Sequence, residues 1–454
     1  MKKTMILFLV VTAMIAGVDR GPIISSEDPS SAFYINFTTD NSCITQIFYR
    51  ILPSGSWVEV TDITASSDHN IRIDILPGYE HEYFVRADGD SLGPYKFWTA
   101  PRTGSRQDFH FCAYGDTRTG MVAHWVVIDH VMTCDPMFMV HTGDMIEDGE
   151  DTGQWDDYFA ELCEWHDIAR SVPFFYAMGN HDDESPYFYS ALTLPKNNPD
   201  SSEAYSSFDW GRIHFFSMNS EVDYDSASPQ YNFIVNDLAE ASIDIRYDFI
   251  IGLVHRPFYS SGYHGREEDL ADALEPLLIE YGVDLVLQGH DHMYERVSPQ
   301  SGVYYVVTGG GGAPPSPIVL WHDYTAFGYN LYHHLHFLYS AAEAKLSMYM
   351  HNYLNNVVDS LILFSSPLDV KDIAKPQTAR LSAHPSPFNK ACLIETKGDL
   401  QINIRDISGR LIVRGSGPCF LWEPSGEIST GLYLISVTDG EAKKSSIGRI
   451  VYLK

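Results

Sequence analysis

The chain has 454 residues, of which 44% are hydrophobic and 20% are charged, and its formal net charge is −30. This is the composition of a folded protein, and the length predicts two to four domains rather than one hydrophobic core. The negative charge argues against nucleic acid duplexes and anionic membranes as partners. An anionic substrate would need metal ions or a local basic pocket to overcome the same charge.

The N-terminal segment predicts export from the cell. Residues 1–17 contain two lysines and then an apolar run from Met5 to Ala16, which is the pattern of a secretory signal peptide. The run is shorter than the ~20 residues that a membrane span requires, and no later stretch is long and apolar enough to cross a bilayer. We therefore expect a protein that is secreted or attached to the cell surface, without a transmembrane segment.

Residues 18–103 are predicted to form a small all-β domain. They contain six or seven short runs rich in β-branched and aromatic residues, separated by turn residues such as Pro77 and Gly78. This density of strands is typical of a β-sandwich. Residues 367–454 are predicted to form a linker rich in Pro and Ser, followed by a second small β-sandwich domain.

Residues 104–366 have a different pattern, in which apolar runs end in glycine or a polar residue and alternate with helical stretches. Alternating strands and helices predict an α/β layered domain, a β-sandwich flanked by helices. The expected fold is therefore this layered domain between two small all-β domains. Because functional residues at the carboxyl ends of such strands converge on one edge of a sheet, we expect the polar residues there to form one site.

The polar residues at these strand ends are of the types that bind metal ions. They are two carboxylates, one carboxamide and three imidazoles: Asp116, Asp144, Asn180, His255, His290 and His292. Oxygen and nitrogen donors without a thiolate favour Zn, Mn or Fe. Each motif alone is usually an ordinary turn or loop. Five motifs in order, each at the end of an apolar run, predict a functional site in which Asp144 can bridge two ions.

The order of the motifs resembles that of the calcineurin-like metallophosphoesterase superfamily. Three segments resemble its purple acid phosphatase branch in particular: residues 255–265, 289–296 and 303–314. The resemblance covers roughly residues 107–350. It implies a layered phosphoesterase fold and a catalytic centre with two divalent or trivalent metal ions.

The flanking regions have resemblances of their own. Residues 18–103 are similar to the fibronectin type III-like domain that precedes the catalytic domain in the purple acid phosphatase branch. The tail resembles the C-terminal sorting domain of type IX secretion, although Ser386 stands where the usual signature has Asn. This second resemblance implies contact with secretion machinery, and the alternative is an ordinary accessory β-domain.

The resemblance also implies which residues hold each ion. The first metal is expected to be bound by Asp116, Asp144 and His292. The second is expected to be bound by Asp144, Asn180, His255 and His290.

Further residues receive catalytic roles from the resemblance. His181 is expected beside the substrate, steered by Asp182 or Asp183, and His264 falls where the branch keeps a histidine that faces the substrate. Arg118 is interpreted as a phosphate clamp, because a guanidinium offers a planar fork of donors.

Two positions depart from the family pattern. Arg118 stands where the wider superfamily has His, and Glu147 stands where the purple branch has Tyr. The first metal therefore lacks both usual additional ligands, and Glu147 or His124 is a candidate for the remaining position.

Several other side chains with metal-binding chemistry are interpreted as structural. The six cysteines are spaced irregularly and form no CxxC, which excludes a zinc-finger pattern and leaves disulfide pairing undecided. Cys112 lies in an apolar run and is interpreted as a core residue. His333, His334 and His336 alternate along a strand and are also interpreted as structural.

Three functions agree with the sequence. The first is a phosphomonoesterase that hydrolyses small phosphate esters by attack of metal-bound hydroxide, with His181 protonating the leaving oxygen. The second is a phosphodiesterase acting on nucleotides or phospholipid fragments, since the metal core is shared. The third is a surface adhesion or binding protein with a decayed catalytic domain, against which the intact ligand positions argue.

Overall fold

The computed structural model describes residues 17–118 and 120–365, and in the tail residues 381–384, 392–396, 401–406, 410–417, 419–424, 428, 431–438 and 445–452. The chain divides into two compact units between residues 367 and 368. Three predicted features lie outside the described residues: the signal peptide apart from Gly17, the linker at residues 367–380, and Ser386. Within the described ranges, no helix combines the length and the hydropathy that a membrane span needs.

The first unit begins with five antiparallel strands: β1 (Val18–Asp28), β2 (Ala32–Ile51), β3 (Val58–Asp74), β4 (Glu80–Ala87) and β5 (Asp90–Trp98). The first half of β2 lies between β1 and β3, and its second half lies between β3 and β4, which also pairs with β5. Register shifts on both sides of Cys43 mark the change of neighbour. Such irregularities bend a strand, so one long strand can contribute to two layers.

Thirteen further strands of the first unit follow: β6 (Phe109–Tyr114), β7 (Met139–His141), β8 (Phe174–Tyr176), β9 (Ser206–Trp210), β10 (Ile213–Ser217), β11 (Phe249–Val254), β12 (Leu285–Gln288), β13 (Tyr294–Val297), β14 (Tyr304–Thr308), β15 (Thr325–Tyr329), β16 (His333–Ser340), β17 (Lys345–Asn352) and β18 (Val357–Phe364). They form a seven-stranded sheet in the order β15-β13-β14-β12-β11-β10-β9 and a six-stranded sheet in the order β18-β17-β16-β6-β7-β8. The strands that lead into the predicted site are parallel to one another within each sheet: β6, β7 and β8 in one sheet, and β11 and β12 in the other.

Six α-helices accompany these sheets: α1 (Met121–Cys134), α2 (Thr152–Ala160), α3 (Ile168–Ser171), α4 (Pro186–Ala191), α5 (Pro229–Ile243) and α6 (Glu268–Glu280). A π-helical turn at Glu161–Trp165 continues α2. Apolar side chains from both sheets, such as Phe111 and Phe215, form the core between them. Helix α1 packs on the outer face of the six-stranded sheet, and α5 and α6 pack on that of the seven-stranded sheet. The predicted α/β layered fold is confirmed.

The second unit is all-β in its described parts. Its strands are β19 (Leu381–His384), β20 (Cys392–Thr396), β21 (Gln401–Asp406), β22 (Leu411–Ser416), β23 (Cys419–Trp422), β24 (Gly431–Thr438) and β25 (Ser445–Tyr452). They form a three-stranded sheet, β19-β20-β23, and a four-stranded sheet, β22-β21-β24-β25. All-β regions therefore flank the α/β domain, as the sequence predicts. The domain boundary near residue 103 stays a prediction, because the first unit contains strands on both sides of it.

Candidate dinuclear metal centre

The polar residues of the five motifs meet at one edge of the two central sheets. Asp116, Asp144 and Asn180 follow β6, β7 and β8, which are parallel, so the carboxyl ends of these strands lie side by side. His255 and His290 follow β11 and β12 of the other sheet. Contacts join the residues of one sheet to those of the other. The His290 backbone nitrogen lies 3.1 Å from both carboxylate oxygens of Asp116, and His255 Nε2 lies 3.1 Å from Asn180 Oδ1.

Close approach of the backbone requires glycine at two of these strand ends. A Cβ atom on Gly179 would lie 2.2 Å from Asp144 Oδ1, and a Cβ atom on Gly289 would lie 2.7 Å from Asp116 Oδ2. Both distances are far shorter than a van der Waals contact, so a side chain at either position would displace a carboxylate. The glycines that precede Asn180 and His290 in the motifs are therefore needed for the site geometry.

Three of the predicted ligands have a left-handed backbone. The φ angles of Asp116, Asp144 and His290 are 59°, 55° and 71°. This conformation is unfavourable for residues other than glycine and persists where the surrounding structure fixes it, most often at functional sites. The fold therefore holds these three side chains in place through contacts elsewhere in the domain.

Two adjoining groups of ligand atoms occupy the centre of the site. Asp116, Asp144 and His292 form one group, and Asp144, His255 and His290 form the other, with the ligand atoms in each group lying within 4.8 Å of one another. Asp144 belongs to both groups. The structure thus brings all six predicted ligands together, with Asn180 beside His255, in the two sets that the family resemblance implies.

The electrostatics of the site fit a cationic occupant. Asp116 and Asp144 are buried, and their ion-pair partners among the described residues are imidazoles, His292 at 3.7 Å and His255 at 3.3 Å, rather than Lys or Arg. Burial, reinforced by the charge of Asp144, raises the pKa of Asp116 well above its usual value. Burial and the charge of His255 lower the pKa of His290 to about 2, so this imidazole is a neutral donor. Buried carboxylates beside imidazole nitrogens suit Zn, Mn or Fe ions.

Backbone carbonyl oxygens orient two of the imidazoles. His255 Nδ1 lies 2.9 Å from the Thr142 oxygen, and His292 Nδ1 lies 3.0 Å from the Pro314 oxygen. A carbonyl oxygen only accepts hydrogen bonds, so each Nδ1 carries the hydrogen and each Nε2 lone pair is available to a metal ion. Such outer hydrogen bonds are a regular feature of histidine ligands. Thr142 and Pro314 act through backbone oxygens, which every residue has, so the sequence did not predict these two contacts.

His181 and Asp182 are neighbours in sequence but act at different places. The His181 ring contacts the Glu147 backbone oxygen, at 2.7 Å from Nδ1, and not the side chain of Asp182. The buried Asp182 carboxylate accepts hydrogen bonds from the backbone N–H groups of Asp144, Met145 and Gly179, at 2.8 to 2.9 Å. The structure therefore places Asp182 as the anchor of two ligand loops. The sequence analysis expected either Asp182 or Asp183 to steer His181.

The two residues that depart from the family pattern form an ion pair with each other. Arg118 donates to the Glu147 carboxylate at the exposed rim of the site. His124 lies in the interior instead, with Nε2 at 3.0 Å from the Tyr114 hydroxyl and Nδ1 at 3.0 Å from Glu161. Neither Glu147 nor His124 belongs to a candidate metal group among the described residues. Both candidates for the additional ligand of the first metal thus have other partners.

His264 lies next to the second ligand group. Its exposed ring is 4.0 Å, centroid to centroid, from the ring of His290. Its loop is held by the buried carboxylate of Asp291, which accepts hydrogen bonds from the Ser260 hydroxyl and from the backbone N–H groups of His264 and Gly265. Sequence analysis missed Asp291, although an Asp between the two ligands His290 and His292 was a visible signal.

Comparison with known proteins agrees with this geometry. Residues 109–294 match the calcineurin-like phosphoesterase family. Purple acid phosphatase 15 of Arabidopsis thaliana is 31% identical over 173 residues, which cover 34% of this chain and 32% of that protein. Purple acid phosphatase 23 of the same plant is 25% identical over 347 residues, which cover 66% of this chain and 74% of that protein. For three of the relatives the chain covers only 32%, 46% and 33% of their length.

A solved structure shares the fold. The purple acid phosphatase from yellow lupin (Lupinus luteus) seeds aligns with a TM-score of 0.65 and 20% identity, covering 77% of this chain and 75% of that one. Residues 109–294 are therefore similar to the calcineurin-like phosphoesterase family, and the chain has purple acid phosphatase homologues and shares the fold of one. Phosphoesterases of this kind hydrolyse phosphate esters with a dinuclear metal centre.

Proposed function

We propose that this protein is a metal-dependent phosphoric ester hydrolase, specifically an acid phosphatase-like phosphomonoesterase acting on small phosphate esters. The observation that carries the proposal is that both ligand groups share the buried carboxylate of Asp144. One carboxylate between two sets of nitrogen and oxygen donors is an arrangement that suits a pair of Fe, Zn or Mn ions.

Bound metal ions would supply charge neutralisation at the phosphate and a water molecule of lowered pKa. The chain supplies binding and proton transfer. Arg118 lies at the rim and pairs with Glu147. Its guanidinium group has further donors that can bind a phosphate oxygen. Its positive charge offsets part of the repulsion between an anionic substrate and the negatively charged protein. The Glu147 carbonyl accepts the Nδ1 hydrogen of His181 and orients the ring. In the imidazolium form His181 carries a second hydrogen on Nε2, which it can deliver to the leaving oxygen, and the ring then remains neutral.

His264 completes the proposed substrate site. Its ring is exposed beside His290, while Asp291 fixes the backbone of its loop. An exposed imidazole on a fixed loop can donate a hydrogen bond to the phosphate or to the leaving group. We assign it to substrate contact rather than to metal binding, because it belongs to neither of the two ligand groups.

The flanking regions support a proposal about the whole chain. The two halves of β2 pair with different strands, which supports a fibronectin type III-like module at residues 18–103. One layer would contain β1, β3 and the first half of β2, and the other would contain β3, β4, β5 and the second half of β2. We propose that residues 367–454 are a sorting domain recognised by secretion machinery, and that the protein acts outside the cell. Two small sheets with a shared apolar core are what such a module needs.

Metal analysis combined with a substrate panel tests the function. The purified chain should bind two metal ions at the dinuclear centre and hydrolyse phosphomonoesters faster than phosphodiesters. Asp144→Asn should lose metal and activity together, while Glu150→Gln, a change of an exposed carboxylate on the following loop, should retain both. Faster hydrolysis of diesters would assign the site to phosphodiester substrates. A folded, metal-loaded protein that hydrolyses neither ester class would contradict the proposal.

A further inference from the structure

A second set of potential metal ligands lies on the outer face of the six-stranded sheet. Side chains alternate along a strand, and in β6 and β16 the residues Phe111 and Phe337 face the core between the two sheets. The adjacent residue in each strand, Cys112 on β6 and His336 on β16, therefore points to the opposite face. These two residues are directly paired across the sheet. Helix α1 packs over that face and ends at Cys134.

Five side chains from four elements meet there, and we call them the Cys-His cluster: Cys112, Cys134, His334, His336 and His351. The ligand atoms of Cys112, Cys134 and His334 lie within 4.8 Å of one another, and so do those of Cys134, His336 and His351. Cys134 Sγ lies 3.8 Å from His334 Nε2. The rings of His334 and His351 are stacked, with centroids 4.9 Å apart.

The cluster contains a buried nitrogen atom without a hydrogen-bond partner. The Nε2 atom of His336 is buried and makes no hydrogen bond within the described part of the chain. Cys and His bind metal ions as thiolates and neutral imidazoles, so an ion bound here would displace the thiol protons.

The cluster is distinct from the dinuclear centre. Helix α1 begins shortly after Arg118 at that centre and ends at Cys134, and a helix of 14 residues is about 20 Å long. The ligands of the dinuclear centre are oxygen and nitrogen atoms, whereas the cluster adds two sulfur atoms. Sulfur and imidazole together select zinc among the common biological cations.

We propose that Cys112, Cys134 and His334 hold a structural zinc ion, with the fourth ligand supplied by the adjoining pair of His336 and His351. Four protein ligands leave no open position, which is the property of structural rather than catalytic zinc sites. The ion fastens the end of α1 to β6, β16 and β17. It thereby fixes helix α1, which begins shortly after Arg118 of the proposed active site.

Cobalt(II) substitution tests this proposal independently of phosphatase activity. Because the dinuclear centre contains no sulfur ligand, a thiolate-to-cobalt charge-transfer band in the near ultraviolet can arise only from cysteine ligation. The cobalt-loaded full chain should show this band. Cys134→Ser and His334→Gln should each lose about one equivalent of metal relative to wild type, and Cys134→Ser should weaken the band most. Cys43→Ser, on β2 of the N-terminal region, is the matched control and should change neither quantity.

Thermal unfolding provides a second readout. His334→Gln should lower the Tm while the metal-saturated enzyme keeps its kcat at 25 °C, since no residue of the dinuclear centre changes. If Cys134→Ser fails to fold, His334→Gln serves for both measurements. Absence of the charge-transfer band would overturn the proposal. So would mass spectrometry that finds Cys112 and Cys134 joined as a disulfide in the purified protein, because the sulfur atoms would then be unable to bind zinc.

Discussion

The Nδ1 atom of His181 lies 2.7 Å from the backbone carbonyl oxygen of Glu147. Since a carbonyl oxygen only accepts, this contact fixes the ring orientation and the position of the Nδ1 hydrogen. The adjacent residue has a different environment, because Asn180 Oδ1 lies 3.1 Å from the ligand atom Nε2 of His255. Two consecutive residues are thus directed to two different tasks.

Substitution of these two residues should separate metal binding from proton transfer. Asn180→Ala removes an oxygen ligand and should lower metal occupancy and rate together. His181→Ala should keep both ions and lose roughly 10²–10⁴-fold in rate, the usual contribution of a positioned general acid. The loss should be large for alkyl phosphates and small for nitrophenyl phosphate, whose leaving oxygen needs little protonation. Metal content and kcat for both ester types are the measurements. If His181→Ala loses a metal ion, or slows both esters equally, then the assignment of His181 as the acid is wrong.

Glu147→Gln tests whether this residue binds the first metal or only pairs with Arg118. The structure shows an ion pair at the rim, so the variant should keep the metal content of the wild type. Arg118 would lose its charged partner, and the KM for a phosphomonoester should fall, because more of the guanidinium charge is available to the anionic substrate. Arg118→Ala should raise KM instead. A loss of metal from Glu147→Gln at unchanged fold would show that Glu147 is a ligand.

The stability of the first unit should decrease as pH rises above neutrality because of His214. This buried residue lies 2.9 Å from carboxylate oxygens of both Asp209 and Asp237. Burial alone would lower the pKa of His214, but the two carboxylates outweigh it and raise the pKa to about 9. The unfolded value is about 6.5, so the charged triad contributes fully below that pH, and its contribution is lost as pH rises through about 9.

Thermal melts of metal-saturated wild type and His214→Gln check this prediction. The Tm of wild type should exceed that of the variant most at pH 6, and the difference should shrink by pH 9.5. Taking the difference between the two proteins removes the contribution of other titrating groups. A difference in Tm that stays constant over this range would contradict the assigned ion pairs.

Removal of the second unit should separate export from catalysis. Residues 368–454 form their own compact unit with its own apolar core, so a chain ending at residue 367 should keep its kcat/KM and its Tm. If the tail is a sorting domain, the shortened protein should accumulate inside the cell. Enzyme assays on purified protein and comparison of cell and medium fractions measure both effects. Normal amounts of the shortened protein in the medium would show that the tail has another role.

The sequence by itself determined the fold class and the composition of the candidate centre. Glycine and metal-ligand residues at the ends of apolar runs are a local signal, and parallel strands bring their carboxyl ends together wherever the runs pair. Asp116, Asp144 and His290 could therefore be assigned to one site before any contact was known. The position of Asp144 between two ligand groups follows from the same rule, together with the family resemblance.

Only the tertiary structure decided which groups hold the loops of the candidate site in place. Asp182 anchors the loop of Asp144, and Asp291 anchors that of His264, through backbone N–H groups that have no sequence signal of their own. The Cys-His cluster was missed for a related reason. Its five residues lie on four elements, and Cys134 and His334 are 200 residues apart. Spacing in sequence reveals a site when its ligands share one loop or successive strand ends. When helix packing over a sheet brings the ligands together, the site is visible only in the folded chain.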